Sequence, residues 1–109
     1  MSFVDTWNYI QKKLIADQII DNWTYNKGYL GNQFSILRVA ANAVHVNTPD
    51  AINIQQVPRN DFHGVYNIWD QYKAGTYLRH RIRDNITRYS KYIISIFRWI
   101  EVNNSGYLP

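Results

Sequence analysis

Residues 73–98 read KAGTYLRHRIRDNITRYSKYIISIFR, and their pattern decides the architecture of this chain. Gly75 stops one helical pattern and Thr76 caps a second, in which Leu78 and Ile82 face inward. Asn85, Ile86 and Thr87 break that helix, and Thr87 caps a last one. The last helix is apolar on most of its circumference: Tyr89, Tyr92, Ile93, Ile94, Ile96, Phe97, Trp99 and Ile100 leave little polar surface. A helix apolar nearly all round is expected at the buried centre of a domain. Its polar positions Arg88, Lys91, Ser95 and Arg98, spaced three, four and three, are expected to project as one narrow stripe.

Upstream, Phe62, Val65, Tyr66, Trp69 and Tyr72 form a 3.6-period stripe that ends at Gly75. Pro58 opens that helix and Asp61 lies in its first turn. Between residues 18 and 57 the period changes to two. Ile19, Asp21, Trp23 and Tyr25 alternate with Ile20, Asn22 and Thr24, up to a turn at Asn26-Lys27-Gly28. Residues 34–39, 43–47 and 51–56 read as three further strands, with Val44, Val46, Ile52 and Ile54 inward. The break at Ala40-Ala41-Asn42 suits a hairpin, and Thr48-Pro49-Asp50 a turn. These connections are too short for parallel crossovers, so the sheet is expected to be antiparallel. At the start, residues 2–16 read as an amphipathic helix through Phe3, Trp7, Ile10 and Leu14, capped by Ser2 and helped by Asp5.

The expected fold is therefore α+β. It comprises an N-terminal helix, an antiparallel sheet of about four strands and three C-terminal helices, in one domain over residues 1–109 with a frayed tail at 103–109. The expected core is Trp7, Ile36, Val44, Val46, Ile54, Phe62, Val65, Trp69, Ile82, Ile93, Ile96 and Phe97.

Composition narrows the function. The chain has 109 residues, 46% of them hydrophobic, which suits one folded domain rather than a disordered chain. It holds no cysteine, which excludes disulfides, a thiol nucleophile and thiolate zinc sites. No stretch approaches the ~18 apolar residues of a spanning helix. The N-terminus, with Asp5 and no long apolar run, does not read as a signal peptide. A soluble cytoplasmic protein is expected, with no membrane partner.

Net charge is +4, and the surplus is not evenly spread. Lys12, Lys13, Lys27 and Arg38 balance Asp5, Asp17, Asp21 and Asp50 in the first half. The second half sets Arg59, Lys73, Arg79, Arg81, Arg83, Arg88, Lys91 and Arg98 against only Asp61, Asp70, Asp84 and Glu101. Arg79 and Arg83, at i and i+4, repel at a cost of ~0.2–0.5 kcal/mol, which a phosphate backbone converts into a gain. The leading reading is a non-catalytic module that contacts the phosphates of DNA or RNA through Arg79, Arg81, Arg83, Arg88, Lys91 and Arg98. In outline the helix–break–helix resembles a helix-turn-helix. Tyr25, Tyr29 and Trp23 offer stacking platforms for single strands. Trp7, Trp69 and Trp99 read as core.

Two other classes remain open. Tyr25, Tyr29 and Tyr77 suit a self-association surface, which makes a homodimer or adaptor the second reading. His63 or His80 beside arginines suits acid–base RNA cleavage, which makes a toxin-like ribonuclease the third, with no second acid–base partner identified. His45, His63 and His80 lack metal-ligand spacing, so neither metal nor cofactor is expected. Thr48-Pro49-Asp50 resembles the opening of a metal-dependent nuclease motif, but no acid and lysine follow it. No glycine pattern forms a phosphate-cradling loop.

The segment VPRNDFHGVYNIWDQYKAG, followed by the Arg/Ile helix and TRYSKYIISIFRWIE, resembles small proteins of bacterial mobile DNA, of the integron gene-cassette type. The matching positions are Pro58, Asp61, Phe62, Val65, Trp69, Tyr72, Gly75, Arg79, Ser90, Tyr92, Ile93 and Ile96. They cover about the second half of the chain. WTYNKGYLGNQFSILRV, upstream, matches less closely. These positions carry mostly packing chemistry. The resemblance therefore implies a shared fold more than an activity, and no catalytic residue carries over.

Overall fold

A computed structural model describes residues 2–49 and 53–109. Helix α1 (Phe3–Lys13) opens with a capping box. The Asp5 N–H donates to Ser2 Oγ at 3.4 Å, and the Ser2 N–H donates to Asp5 Oδ2 at 3.1 Å. The helix is shorter than the expected 2–16: Leu14 is its C-cap and stays buried, while Ile15 is exposed. Trp7 Nε1 donates to the Ala41 carbonyl at 3.1 Å and Gln11 Nε2 to the Ala40 carbonyl at 2.9 Å, which pins α1 to a hairpin turn.

Four strands follow: β1 (Ile19–Thr24), β2 (Gly28–Val39), β3 (Ala43–Asn47) and β4 (Gln55–Pro58). They form one antiparallel meander in the order β1-β2-β3-β4. Ile20, Trp23, Phe34, Ile36, Val44, Val46 and Val57 are its buried apolar residues. Two features of the sheet depart from strict alternation. Between Asp21↔Gln33 and Trp23↔Tyr29, β1 advances two residues while β2 advances four. Gly31, at φ +85°, lies in this bulge, where a side chain would be strained. The irregularity lets Ile20 and Trp23, three apart, both be buried. A second bulge, between Ile36 and Arg38, leaves both Leu37 and Arg38 exposed.

The fourth strand differs from expectation. It starts at Gln55 and runs through Pro58, so Val57, opposite Val44, fills the core position. Ile54, expected inward, is 51% exposed. Ile52 lies outside the described residues, as do Asp50 and Ala51. Pro58 is tolerated in β4 because that strand is a sheet edge, where a missing N–H leaves no ladder bond unmade.

The single helix expected to end at Gly75 is two: α2 (Arg59–Tyr66) and α3 (Trp69–Lys73). A tight turn, with the Ile68 N–H on the Val65 carbonyl at 3.1 Å, joins them. The apolar stripe survives the break, since Phe62, Val65, Trp69 and Tyr72 are all buried. Gly75, at φ +80°, closes α3 through paired bonds: its N–H reaches Tyr72 O at 3.1 Å, and the Thr76 N–H reaches Gln71 O at 3.0 Å. Thr76 therefore finishes α3 rather than capping its successor. Its hydroxyl also donates to Gln71 O. Helix α4 (Arg79–Asn85) begins after Leu78, which is 45% exposed instead of inward; Ile82 is buried as expected.

Helix α5 (Ser90–Asn103) is enclosed as its composition requires, with Tyr92, Ile93, Ile94, Ser95, Ile96, Phe97 and Ile100 buried. Thr87 sits upstream of its first turn. The Thr87 hydroxyl accepts from the Tyr89 N–H at 2.9 Å and donates to Asp61 Oδ2 at 2.8 Å, tying the α4–α5 break to α2. The expected polar stripe is interrupted. Ser95 is buried, and its Oγ accepts the Trp23 N–H at 3.0 Å. The tail, expected to fray, turns through a 3₁₀ segment, η1 (Ser105–Tyr107), back onto α1. There the Tyr107 ring lies 4.4 Å from that of Tyr9, and the Thr6 hydroxyl donates to the Tyr107 carbonyl. Among the described residues no helix is long and apolar enough to cross a membrane.

Candidate nucleic-acid interface

The cations singled out by sequence fall into two environments. Arg79, Arg81 and Arg83 are exposed on α4, and Arg88 and Lys91 are exposed across the break and the first turn of α5. Three of them rest on tyrosine rings. The Arg81 guanidinium lies 5.0 Å from the Tyr77 centroid, that of Arg88 4.8 Å from Tyr89, and the Lys91 ammonium 5.0 Å from Tyr92. Arg88 Nη2 also donates to the Tyr89 hydroxyl at 2.6 Å. Arg83 Nε pairs with Asp84 Oδ1 at 3.1 Å, but both side chains are well exposed, so the pair is weak. Among the described residues Arg79, Arg81, Arg88 and Lys91 have no carboxylate partner within ion-pair distance.

Arg98 is set apart. Its guanidinium covers the Trp23 ring at 4.9 Å, and its Nη1 lies 3.9 Å from Glu101 Oε1. Glu101 Oε2 accepts from Trp69 Nε1 at 3.1 Å and from Lys73 Nζ at 2.6 Å. Arg98 and Lys73 therefore belong to a partly buried charge network at the far end of α5. Trp23, read from sequence as a platform, is buried beneath Arg98 and beside Trp69.

Lys91 borders a concavity of about 340 Å³ shared with Asn22, Asn32 and Gln33, and two others border the 79–91 segment. One, of about 630 Å³, is lined by Asn53, Ile54, Gln55 and Gln56 on one side and by Arg88, Tyr89, Lys91 and Tyr92 on the other. The second, of about 210 Å³, lies between the β1–β2 turn and the α3–α4 connection. Tyr25 and Lys27 from the turn, Leu30 from β2, and Tyr72, Tyr77, Leu78 and Arg79 line it. Among the described residues neither lining contains a carboxylate. The structure thus brings Tyr25 and Tyr77 together with Arg79, while Tyr29 stands exposed outside this lining, opposite Trp23 in the ladder. Sequence reasoning missed Lys27, Leu30 and Tyr72 here. The Asn26-Lys27-Gly28 turn signal located the hairpin tip, but its apposition to Gly75 and Arg79 is tertiary.

Tyr72 holds that apposition. Its hydroxyl accepts the Tyr25 N–H at 3.0 Å. Burial raises the Tyr72 phenol above its ordinary pKa of 10.0, while the Tyr25 hydrogen bond and the Arg79 charge pull the other way. The histidines are spread over β3 (His45), α2 (His63) and α4 (His80), and His63 stacks on Phe3 at 4.4 Å. No family model, curated protein or solved structure matches the chain.

Proposed function

We propose that this chain is a non-catalytic nucleic-acid-binding module that contacts phosphates through the cations of residues 79–91. One observation carries the reading: Arg79, Arg81, Arg88 and Lys91 are exposed along α4, the break after it and the first turn of α5, with no carboxylate partner among the described residues. Folding does not need such a cluster, and polyanion binding rewards it by counterion release. The enclosure of α5 shapes the mode. A helix buried from Tyr92 to Phe97 cannot lie in a major groove, so the module grips backbone rather than reading bases in a duplex. Asn53, Gln55 and Gln56 add neutral amides beside Arg88 and Lys91 for phosphate and sugar contacts. Arg98, engaged with Trp23 and Glu101, has a lesser part than sequence gave it. A protein of mobile DNA, of the gene-cassette type that its second half resembles, is the setting we infer.

The test is fluorescence anisotropy with labelled DNA and RNA across a salt series. Binding that falls steeply with salt is expected. The Arg88→Ala/Lys91→Ala variant should bind all sequences more weakly and lower the slope of log K against log salt by ~1.8 on duplex DNA, about 0.9 per lost phosphate contact. Unchanged binding in that variant refutes the assignment.

A further inference from the structure

We infer that the concavity between the β1–β2 turn and the α3–α4 connection receives one unpaired base of a single-stranded nucleic acid, with Lys27 and Arg79 on its flanking phosphates. This deepens the proposed function and rests on it. The lining divides by chemistry. Tyr25, Leu30, Tyr77 and Leu78 supply aromatic and apolar wall, and Tyr25, Leu30 and Leu78 keep large exposed areas there, at 47%, 40% and 45%. Lys27 and Arg79 supply positive charge with no carboxylate among the described lining residues. An apolar wall next to cations suits a ligand that is planar and apolar at one end and anionic at the other, which describes a nucleotide. Every base has a π-face, so a tyrosine wall accepts it with little sequence preference. The volume, about 210 Å³, falls below the ~300 Å³ at which drug-sized ligand pockets begin, which limits the occupant to a small group.

Tyr72 adds a polar contact. Its hydroxyl accepts the Tyr25 N–H and so keeps its own proton to donate, for instance to a base carbonyl. A base paired inside a duplex cannot enter such a concavity without leaving its stack. The site therefore separates single strands from duplexes, although the cations of residues 79–91 attract both. Charge also argues against a second copy of this chain as the occupant, because Lys27 and Arg79 would meet another protein with a net charge of +4.

The experiment compares the full chain with its Tyr25→Ala variant on a labelled 12-nucleotide single strand and on a duplex of the same sequence. Tyr25→Ala keeps the backbone N–H that donates to Tyr72 and removes the ring, which packs edge-on against Tyr72 at 6.3 Å. The expected result is tighter binding of the single strand. Tyr25→Ala should weaken that binding about 5- to 150-fold, the range set by loss of one stacked base, with duplex affinity and salt slope unchanged. Leu78→Ser, on the opposite wall, should act in the same direction, and serves if Tyr25→Ala melts early. Equal binding of both nucleic acids, insensitive to both variants, overturns the inference and leaves phosphate contact standing. Failure of every nucleic acid to bind at low salt removes the proposed function and this site with it. A dimer on sizing that Tyr25→Ala dissolves, without any single-strand preference, would assign the concavity to a second copy and overturn the inference.

Discussion

Replacing Ser95 with alanine tests how the sheet is held to α5. β1 is an edge strand, and beside the bulge in β2 its Trp23 N–H donates to Ser95 Oγ at 3.0 Å. Just beyond the strand end, the Tyr25 N–H goes to Tyr72 Oη at 3.0 Å. Helix side chains thus satisfy backbone donors at the free edge, a means of blunting it against other chains. Ser95 is 1% exposed and Trp23 8%, so no water replaces the lost acceptor without the helix and strand parting. An orphaned buried N–H costs ~1–3 kcal/mol. Alanine's better helix propensity returns up to ~0.7 kcal/mol, leaving a net loss of ~0.3–2.3 kcal/mol. At ~4–8 °C per kcal/mol for domains of 60–100 residues, and less for longer ones, Tm should fall by about 2–14 °C.

Circular dichroism melts and urea titration measure that loss, and hydrogen exchange locates it: the Trp23 amide should lose protection first. Ser35→Ala is the internal control. Its Oγ donates to the Asn47 carbonyl at 3.5 Å on the uncovered side of the sheet, so the change should stay within about 0.5 kcal/mol. Equal Tm values for Ser95→Ala and wild type, or an unaltered Trp23 exchange rate, would refute the edge-capping argument. If the concavity takes a single strand as proposed, Ser95→Ala should also weaken that binding, because the same edge carries the hairpin tip with Tyr25 and Lys27.

Two further outcomes follow from buried polar groups. Since the folded pKa of Tyr72 is raised, its stabilising effect is complete below pH 10, the unfolded value, and is lost as pH rises through the folded pKa. Melts taken at increasing pH should therefore decline more steeply above pH 10 in wild type than in Tyr72→Phe; parallel declines would contradict the desolvated phenol. Glu101→Gln keeps an acceptor for Trp69 Nε1 but removes the charge facing Lys73 and Arg98, and should cost about 1–2 kcal/mol in urea titration. An unmoved midpoint would mean that the network is screened by solvent.

Element order and layout were legible because the hydrophobic period changes cleanly, from helical at Phe3, Trp7 and Ile10, to two across the strands, and back at Phe62. The buried α5 was legible for the same reason: few polar residues interrupt it. What escaped were the places where tertiary contacts decide which side of the chain faces in. The β1–β2 bulge buries Trp23 three residues after Ile20, and no alternation rule anticipates that. Ile54 and Val57 both fit a strand beside Val44, and only the register with β3 chooses Val57. Thr76 has cap chemistry for either neighbouring helix, and the turn at Gly75 gives it to α3. The tail reads as polar loop through Gly106, yet Tyr107 finds Tyr9. In the candidate site the cations were legible as a charge run, but their division was not. Arg98 continues the helical spacing of Arg88 and Lys91, and only the burial of Trp23 and Glu101 beside it draws it away.

That division follows from one competition. An apolar helix in a chain of this size must be buried on nearly every side, which withdraws α5 from any role as a probe. The polar groups of the region must then sit where the burial stops: on α4, at the break, and on the first turn of α5. Tyrosines border the same boundary because their rings can pack inward while their hydroxyls stay wet. Cations laid on those rings, Arg81 on Tyr77, Arg88 on Tyr89 and Lys91 on Tyr92, are held near the surface without being neutralised. A carboxylate at any of these places would stabilise the isolated chain more and bind a polyanion less. The tyrosine–cation arrangement therefore keeps positive charge exposed at a cost in folding energy, which is what the proposed polyanion contact would use.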